Sequence, residues 1–220
     1  MKGEKQMKKM LLLFIIMSLA LSNVASAHDL LDLLPVEEDT VSTVHSALWS
    51  EGSISHDQFI DCVESFSPPV SMGEWCLCQE GYEKFFRTYS SEFYYISLSM
   101  CLDPRYVFCL GIVESYFGTT NIANFKNNLF GVGATDFNED FAYDYTSVPY
   151  SIFDLCSLLH GFSIEGSWQY QTAIRSGYNP KTIEGQLSIY SSTESTLASQ
   201  VLYMMEEIFP SRWEIVVKMY

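Results

Sequence analysis

Residues Asp103–Gly133 read DPRYVFCLGIVESYFGTTNIANFKNNLFGVG, and the first half of this stretch decides the fold. Asp103 can cap a helix with its side chain, and Pro104 suits the first helical position, where a missing N–H costs nothing. Tyr106, Leu110, Val113 and Phe117 then recur every three or four residues, and Gly118 fits the C-terminal stop. This predicts a helix that opens at Pro104 and closes at Gly118. Glu114 lies on it, with Leu110, Gly111, Phe117 and Gly118 as its i−4, i−3, i+3 and i+4 neighbours. A carboxylate beside an apolar stripe is desolvated, which raises its pKa and suits a general acid. The same place on the helix also fits a solvated or salt-bridged glutamate at the edge of the stripe.

Downstream, Asn127–Tyr145 changes character. Gly131 and Gly133 punctuate it, Asp and Asn cluster, and Phe137, Phe141, Tyr143 and Tyr145 alternate loosely, which predicts a loop with a short β hairpin. Helices are expected again over Val148–His160, closed by Gly161, and over Pro180–Tyr190 with Asn179 as cap. A last one is expected over Glu194–Phe209, with Leu197, Val201, Met204 and Ile208 on one stripe. Upstream, Glu80–Met100 reads as an aromatic-rich helix with Phe85, Tyr89 and Leu98 inward. Before Pro68-Pro69 stands an acidic, weakly patterned segment with a plausible helix at His56–Phe66. The body is therefore mainly α, with one small irregular β insert.

The chain has 220 residues, with 12 Lys+Arg against 27 Asp+Glu and 15% aromatics. That length suits one domain with a real core, and the aromatic content argues against disorder. Met1–Lys9 carries four lysines, Met10–Leu21 is a twelve-residue apolar run, and Ala25-Ser26-Ala27 is an A-x-A pattern. These are the parts of a secretory signal peptide, and the run is short of the about 20 apolar residues a spanning helix needs. An uncleaved membrane anchor is the alternative. The expected organisation is a signal peptide over 1–27, a leader segment over 28–69 and a catalytic domain over 70–220. The chain after residue 27 holds 8 basic and 26 acidic residues. A body that acidic repels phosphate backbones and anionic membranes, so nucleic acid and membrane docking are not expected.

Export gives the six cysteines, Cys62, Cys76, Cys78, Cys101, Cys109 and Cys156, a setting where disulfides persist. Six cysteines permit fifteen pairings, and spacing does not choose among them. Cys109 and Cys156 fall inside apolar helical patterns, where a buried free thiol is the plain alternative. Cys76-Leu77-Cys78 is half a metal clip with no second half, so no metal is expected.

Ile112–Gly133, IVESYFGTTNIANFKNNLFGVG, resembles the glucosaminidase family of bacterial wall hydrolases. The likeness rests on E-S-x-x-G at Glu114–Gly118 and on N-N-L-F-G at Asn127–Gly131, and it continues to Ile189-Tyr190-Ser191-Ser192 near the C-terminal end. It implies a lysozyme-like helical fold, α+β in detail, with a short β hairpin at the wall of a saccharide groove. It further implies a secreted or wall-associated monomer, without cofactor, that cleaves the β-1,4 bond after N-acetylglucosamine in peptidoglycan glycan strands. Glu114 matches the acid that protonates the leaving oxygen, and Tyr190 matches a tyrosine that faces it. Asn127, Asn128, Phe130 and Gly131 match the turn that shapes the sugar site, although asparagines there can equally cap helix ends and Phe130 can be core. A partner carboxylate is wanted at about 5–5.5 Å for a nucleophile or about 6.5–9.5 Å for a base. Asp136 is placed with the catalytic residues on this basis, with Glu139, Asp140 and Asp144 as alternatives. Two features depart from the family: Thr193-Glu194-Ser195-Thr196 replaces D-P-x-W, and wall-binding repeats are absent. Lytic transglycosylase cleavage and non-catalytic glycan binding are the other functions the resemblance leaves open.

Overall fold

The computed structural model describes residues 47, 54–68, 75–134, 139–191 and 196–210, with the backbone alone at 75, 76 and 139. The described chain is mainly helical, and no strand occurs among the described residues. Its order is α1 (His56–Ser65), α2 (Trp75–Gly81), a π-helical turn (Tyr82–Arg87), α3 (Ser90–Ser99), α4 (Pro104–Ser115) and α5 (Asn121–Lys126). A 3-10 turn (Glu139–Phe141) follows, then α6 (Val148–Gly161), α7 (Trp168–Arg175), α8 (Ile183–Tyr190) and α9 (Thr196–Ile208). The expected signal peptide lies outside the described residues. Among those described, no helix is long and apolar enough to cross a membrane, and no group of His, Cys, Asp or Glu could hold a metal ion.

The chain divides into two compact units, one drawn from residues 49–156 and 200–220, the other from 1–48 and 157–199. The first unit is organised by aromatic rings. Phe59 of α1 stacks on Phe209 at 5.0 Å and meets Phe108 of α4 edge-on at 5.4 Å. Phe93 of α3 meets Phe108 at 5.1 Å and Phe130 at 6.4 Å. All of these rings are buried, and a ring taken fully out of water contributes about 1.5–3 kcal/mol. The C-terminal end of α1 is closed from a distance. Tyr82 Oη donates to Val63 O at 3.0 Å, and Arg87 Nη2 donates to Glu64 O at 2.9 Å and Phe66 O at 2.8 Å. A cation there satisfies carbonyls that have no helical partner and offsets the negative end of the helix dipole.

The expected helix over Glu80–Met100 is three pieces. A π turn at Tyr82–Arg87, marked by Thr88 N–H donating to Glu83 O at 3.3 Å, inserts an extra residue and moves the inward face. Phe85 is buried as expected, but Tyr89 and Leu98 are half-buried, and Phe86, Phe93, Tyr94 and Ser97 take the inward places. In the second unit α8 starts at Ile183 rather than Pro180. Thr182 is its cap, accepting from Gly185 N–H at 3.0 Å, while Asn179 Oδ1 accepts from Lys181 N–H at 3.0 Å in the turn before it. Helix α9 runs Thr196–Ile208, and the expected start at Glu194 lies outside the described residues.

Cys101, Cys109 and Cys156 are free thiols, the last two buried. Burial pushes the Cys109 thiol well up, and it pushes Cys156 up to about 12. Neither is a reactive nucleophile, since the thiolate is the reactive form.

Candidate active site

Helix α4 is fixed at its start by Asp103, whose Oδ1 accepts from Arg105 N–H at 2.9 Å while Oδ2 pairs with the Arg105 guanidinium at 2.6 Å. From Tyr106 to Ile112 every residue is buried. Gly111 is required by packing, because a Cβ there would lie 3.1 Å from Phe130 and 3.2 Å from Phe86.

The end of α4 explains the spacing in E-S-x-x-G. Ser115 is buried, and its Oγ donates to Gly111 O at 2.7 Å and accepts from Gly118 N–H at 2.9 Å. The latch encloses three left-handed residues in a row: Tyr116 (φ 49°), Phe117 (φ 59°) and Gly118 (φ 80°). Only glycine adopts this region freely; the other two cost about 1–2 kcal/mol each. The turn sends Phe117 inward, 4% exposed and stacked on Phe66 at 6.4 Å, and Tyr116 outward, 41% exposed. Gly118 passes so close to Gly81 that a Cβ on Gly81 would lie 2.3 Å from Phe117 O. The two glycines near Glu114 therefore serve close backbone and ring packing.

Glu114 occupies the last turn of this helix. It is half-buried, and burial raises its carboxyl from 4.5 to about 7. No cation or hydrogen-bond donor among the described residues pairs with it, so nothing there offsets the desolvation. The negative end of the helix dipole acts in the same direction.

Asn127–Gly131 is built differently. Asn127 is the left-handed C-cap of α5 (φ 48°), and its Nδ2 donates to Tyr145 O at 2.9 Å. Asn128 is 1% exposed. Its Nδ2 donates to Val132 O at 2.8 Å and Tyr143 O at 3.1 Å, and its Oδ1 accepts from Phe130 N–H at 3.3 Å and Val132 N–H at 3.1 Å. Phe130 is 2% exposed, in the aromatic core. Gly131 is half-buried with φ 63°, which a glycine meets without strain. Lys126 Nζ completes the buckle, donating to Asp140 O at 2.8 Å and Ala142 O at 3.0 Å. Three consecutive side chains thus hold the returning limb of the excursion. The limbs also share two backbone bonds, Tyr143 N–H to Val132 O and Tyr145 N–H to Lys126 O, both 2.9 Å. Where the described residues cover the expected hairpin, they form loop and a 3-10 turn.

Asp136 lies outside the described residues, as does the side chain of Glu139, and Asp140 and Asp144 are exposed. Tyr190 ends α8 in the second unit and is half-buried. One carboxylate that the sequence reading passed over is Asp154 of α6, whose Oδ2 accepts from Tyr145 Oη at 2.5 Å. Burial first, and then this bond, raise the Tyr145 hydroxyl far above its ordinary value. No spacing rule connects a loop tyrosine to a helix carboxylate nine residues on.

Compared with protein-family models, curated proteins and solved structures, the chain matches none.

Proposed function

We propose that this chain is an exported glycoside hydrolase that cleaves the β-1,4 bond after N-acetylglucosamine in peptidoglycan, with Glu114 as general acid. The observation that carries the reading is the Glu114 carboxyl, raised to about 7 by burial beside a strained helix end. Ordinary glutamates are ionised at that pH and have no proton to give. A carboxyl that stays protonated near its operating pH is the form general acid catalysis uses. Backbone held in rarely occupied conformations is also concentrated at functional sites. The E-S-x-x-G and N-N-L-F-G context supplies the substrate class.

In this reading Glu114 gives its proton to the bridging oxygen as the C1–O bond breaks, and the leaving sugar departs as an alcohol. The carboxylate left behind then takes a proton from the water that attacks C1. A partner group holds the charge developing at C1, supplied by Asp136, by another acid of the excursion or by the substrate's own acetamido oxygen. The finer architecture proposed is the lysozyme-like arrangement, with a short β hairpin at the wall of the saccharide groove. Met1–Ala27 directs export and is removed, and the enzyme works as a monomer without a cofactor.

The test is digestion of purified peptidoglycan, with mass spectrometry of the fragments. Reducing N-acetylglucosamine ends support the hydrolase. Anhydro ends would convert the reading to a lytic transglycosylase, in which no water is consumed. Absence of cleavage would leave a glycan-binding protein at most.

A further inference from the structure

Tyr116 is the C-cap of α4, a place that does not call for an aromatic side chain. One left-handed residue closes a helix, and glycine is the usual choice; here Gly118 is available two positions on. The chain nevertheless puts an aromatic at φ 49° and ψ 62° and leaves its ring 41% exposed. The conformation is held firmly. Phe117 N–H donates to Ile112 O at 2.9 Å, and Thr119 donates to Tyr116 O both from its N–H, at 3.2 Å, and from Oγ1, at 2.7 Å. The neighbouring ring of Phe117, 6.2 Å away and edge-on, is anchored in the core and fixes the side from which Tyr116 projects. Tyr116 follows Glu114 by two residues, so their Cα atoms lie within about 7.6 Å of each other.

We propose that Tyr116 is the stacking platform for the N-acetylhexosamine ring adjoining the scissile bond, a specificity-determining residue of the site in which Glu114 is the acid. This rests on the hydrolase reading above and extends it. An aromatic face in water gains by covering the apolar C–H face of a pyranose. A ring fixed by the backbone loses little freedom on binding, so the strained turn preorganises the contact. The net acidic charge of the chain favours a neutral sugar over an anionic ligand at this exposed place.

Two variants test it, with soluble glycan strands from purified peptidoglycan as the one substrate. Tyr116→Gly removes the ring and relieves the backbone, and Tyr116→Phe keeps the ring. Each is also placed on Glu114→Gln for calorimetric binding without turnover. The expected result for Tyr116→Gly is a KM and a dissociation constant raised about tenfold or more, with the pH profile unchanged and a melting temperature equal to or above the parent's. Tyr116→Phe is expected to bind within about threefold of the parent. If the parent cleaves and Tyr116→Gly binds equally well, the platform is refuted and the hydrolase stands. If Tyr116→Gly melts lower, the ring is structural and the inference fails. If the parent neither binds nor cleaves, the hydrolase reading falls and takes this inference with it.

Discussion

Glu114 and Asn128 are both polar side chains embedded in apolar surroundings, and they are opposites. Asn128 spends its whole amide on four hydrogen bonds to backbone, three within its own turn and one to Tyr143 O on the returning limb. Glu114 has no partner among the described residues, and its carboxyl is raised to about 7. A buried polar group with every bond made is braced and stabilising; a carboxyl with no partner costs stability while it is charged. The two halves of the motif thus differ: the N-N-L-F-G half holds the excursion, and the E-S-x-x-G half holds a carboxyl with no partner among the described residues.

The sharpest way to break this contrast is to remove each group in turn. Glu114→Gln keeps shape and removes the proton, so wall digestion should fall about 10²–10⁴-fold while the fold survives. Parental turnover would end the assignment. Asn128→Ala should do the reverse. It strands the N–H groups of Phe130 and Val132 in a buried turn, at a cost of about 3 kcal/mol or more, readable by denaturant unfolding. A variant as stable as the parent would mean that the bracing is dispensable.

The same contrast predicts a pH dependence. The folded Glu114 carboxyl titrates at about 7 and the unfolded one near 4.5. Between these values the folded state holds the extra proton, so stability falls as pH rises from about 4.5 to about 7 and is level above that. The shift corresponds to about 3 kcal/mol at most, because solvent screens a half-buried group. Glu114→Gln should abolish the slope and be more stable than the parent at pH 8, and unfolding curves across the range would show it.

How much of this was legible follows from where the signals lie. The start of helix α4 could be read because its cap and Pro104 are local; its end, expected at Gly118, falls at Ser115, because Tyr116, Phe117 and Gly118 turn left-handed and take Phe117 out of the helical stripe. The π turn at Tyr82–Arg87 could not be read, because its residues look like those of an ordinary aromatic helix, and the need for a glycine at 81 is set by the Phe117 carbonyl far along the chain. Helices α5 and α7 are too short for periodicity and announce themselves only through Thr120 and Ser167 as caps. Glu114 could be singled out from its neighbours alone. The burial of Asn128 and Phe130 could not, since asparagines that brace a turn and asparagines that touch a ligand read alike. Nothing in a tyrosine codes for the left-handed turn at Tyr116.

A smaller effect sharpens the account at its edge. In the resemblance, Tyr190 orients the acid, and loss of its hydroxyl bond to a charged group is worth about 1.5–3 kcal/mol. Tyr190→Phe should then slow turnover about 10–150-fold and leave the melting temperature nearly unchanged. Parental turnover would return Tyr190 to packing.

The most direct test of the central claim is the titration of Glu114 itself. The side-chain carboxyl carbon can be followed by NMR in protein labelled at glutamate and assigned by its loss in Glu114→Gln. The account predicts a midpoint near 7, well separated from the other glutamates. A midpoint in the ordinary carboxylate range, about 4, would contradict it, because a carboxyl ionised at that pH is solvated and has no proton to give.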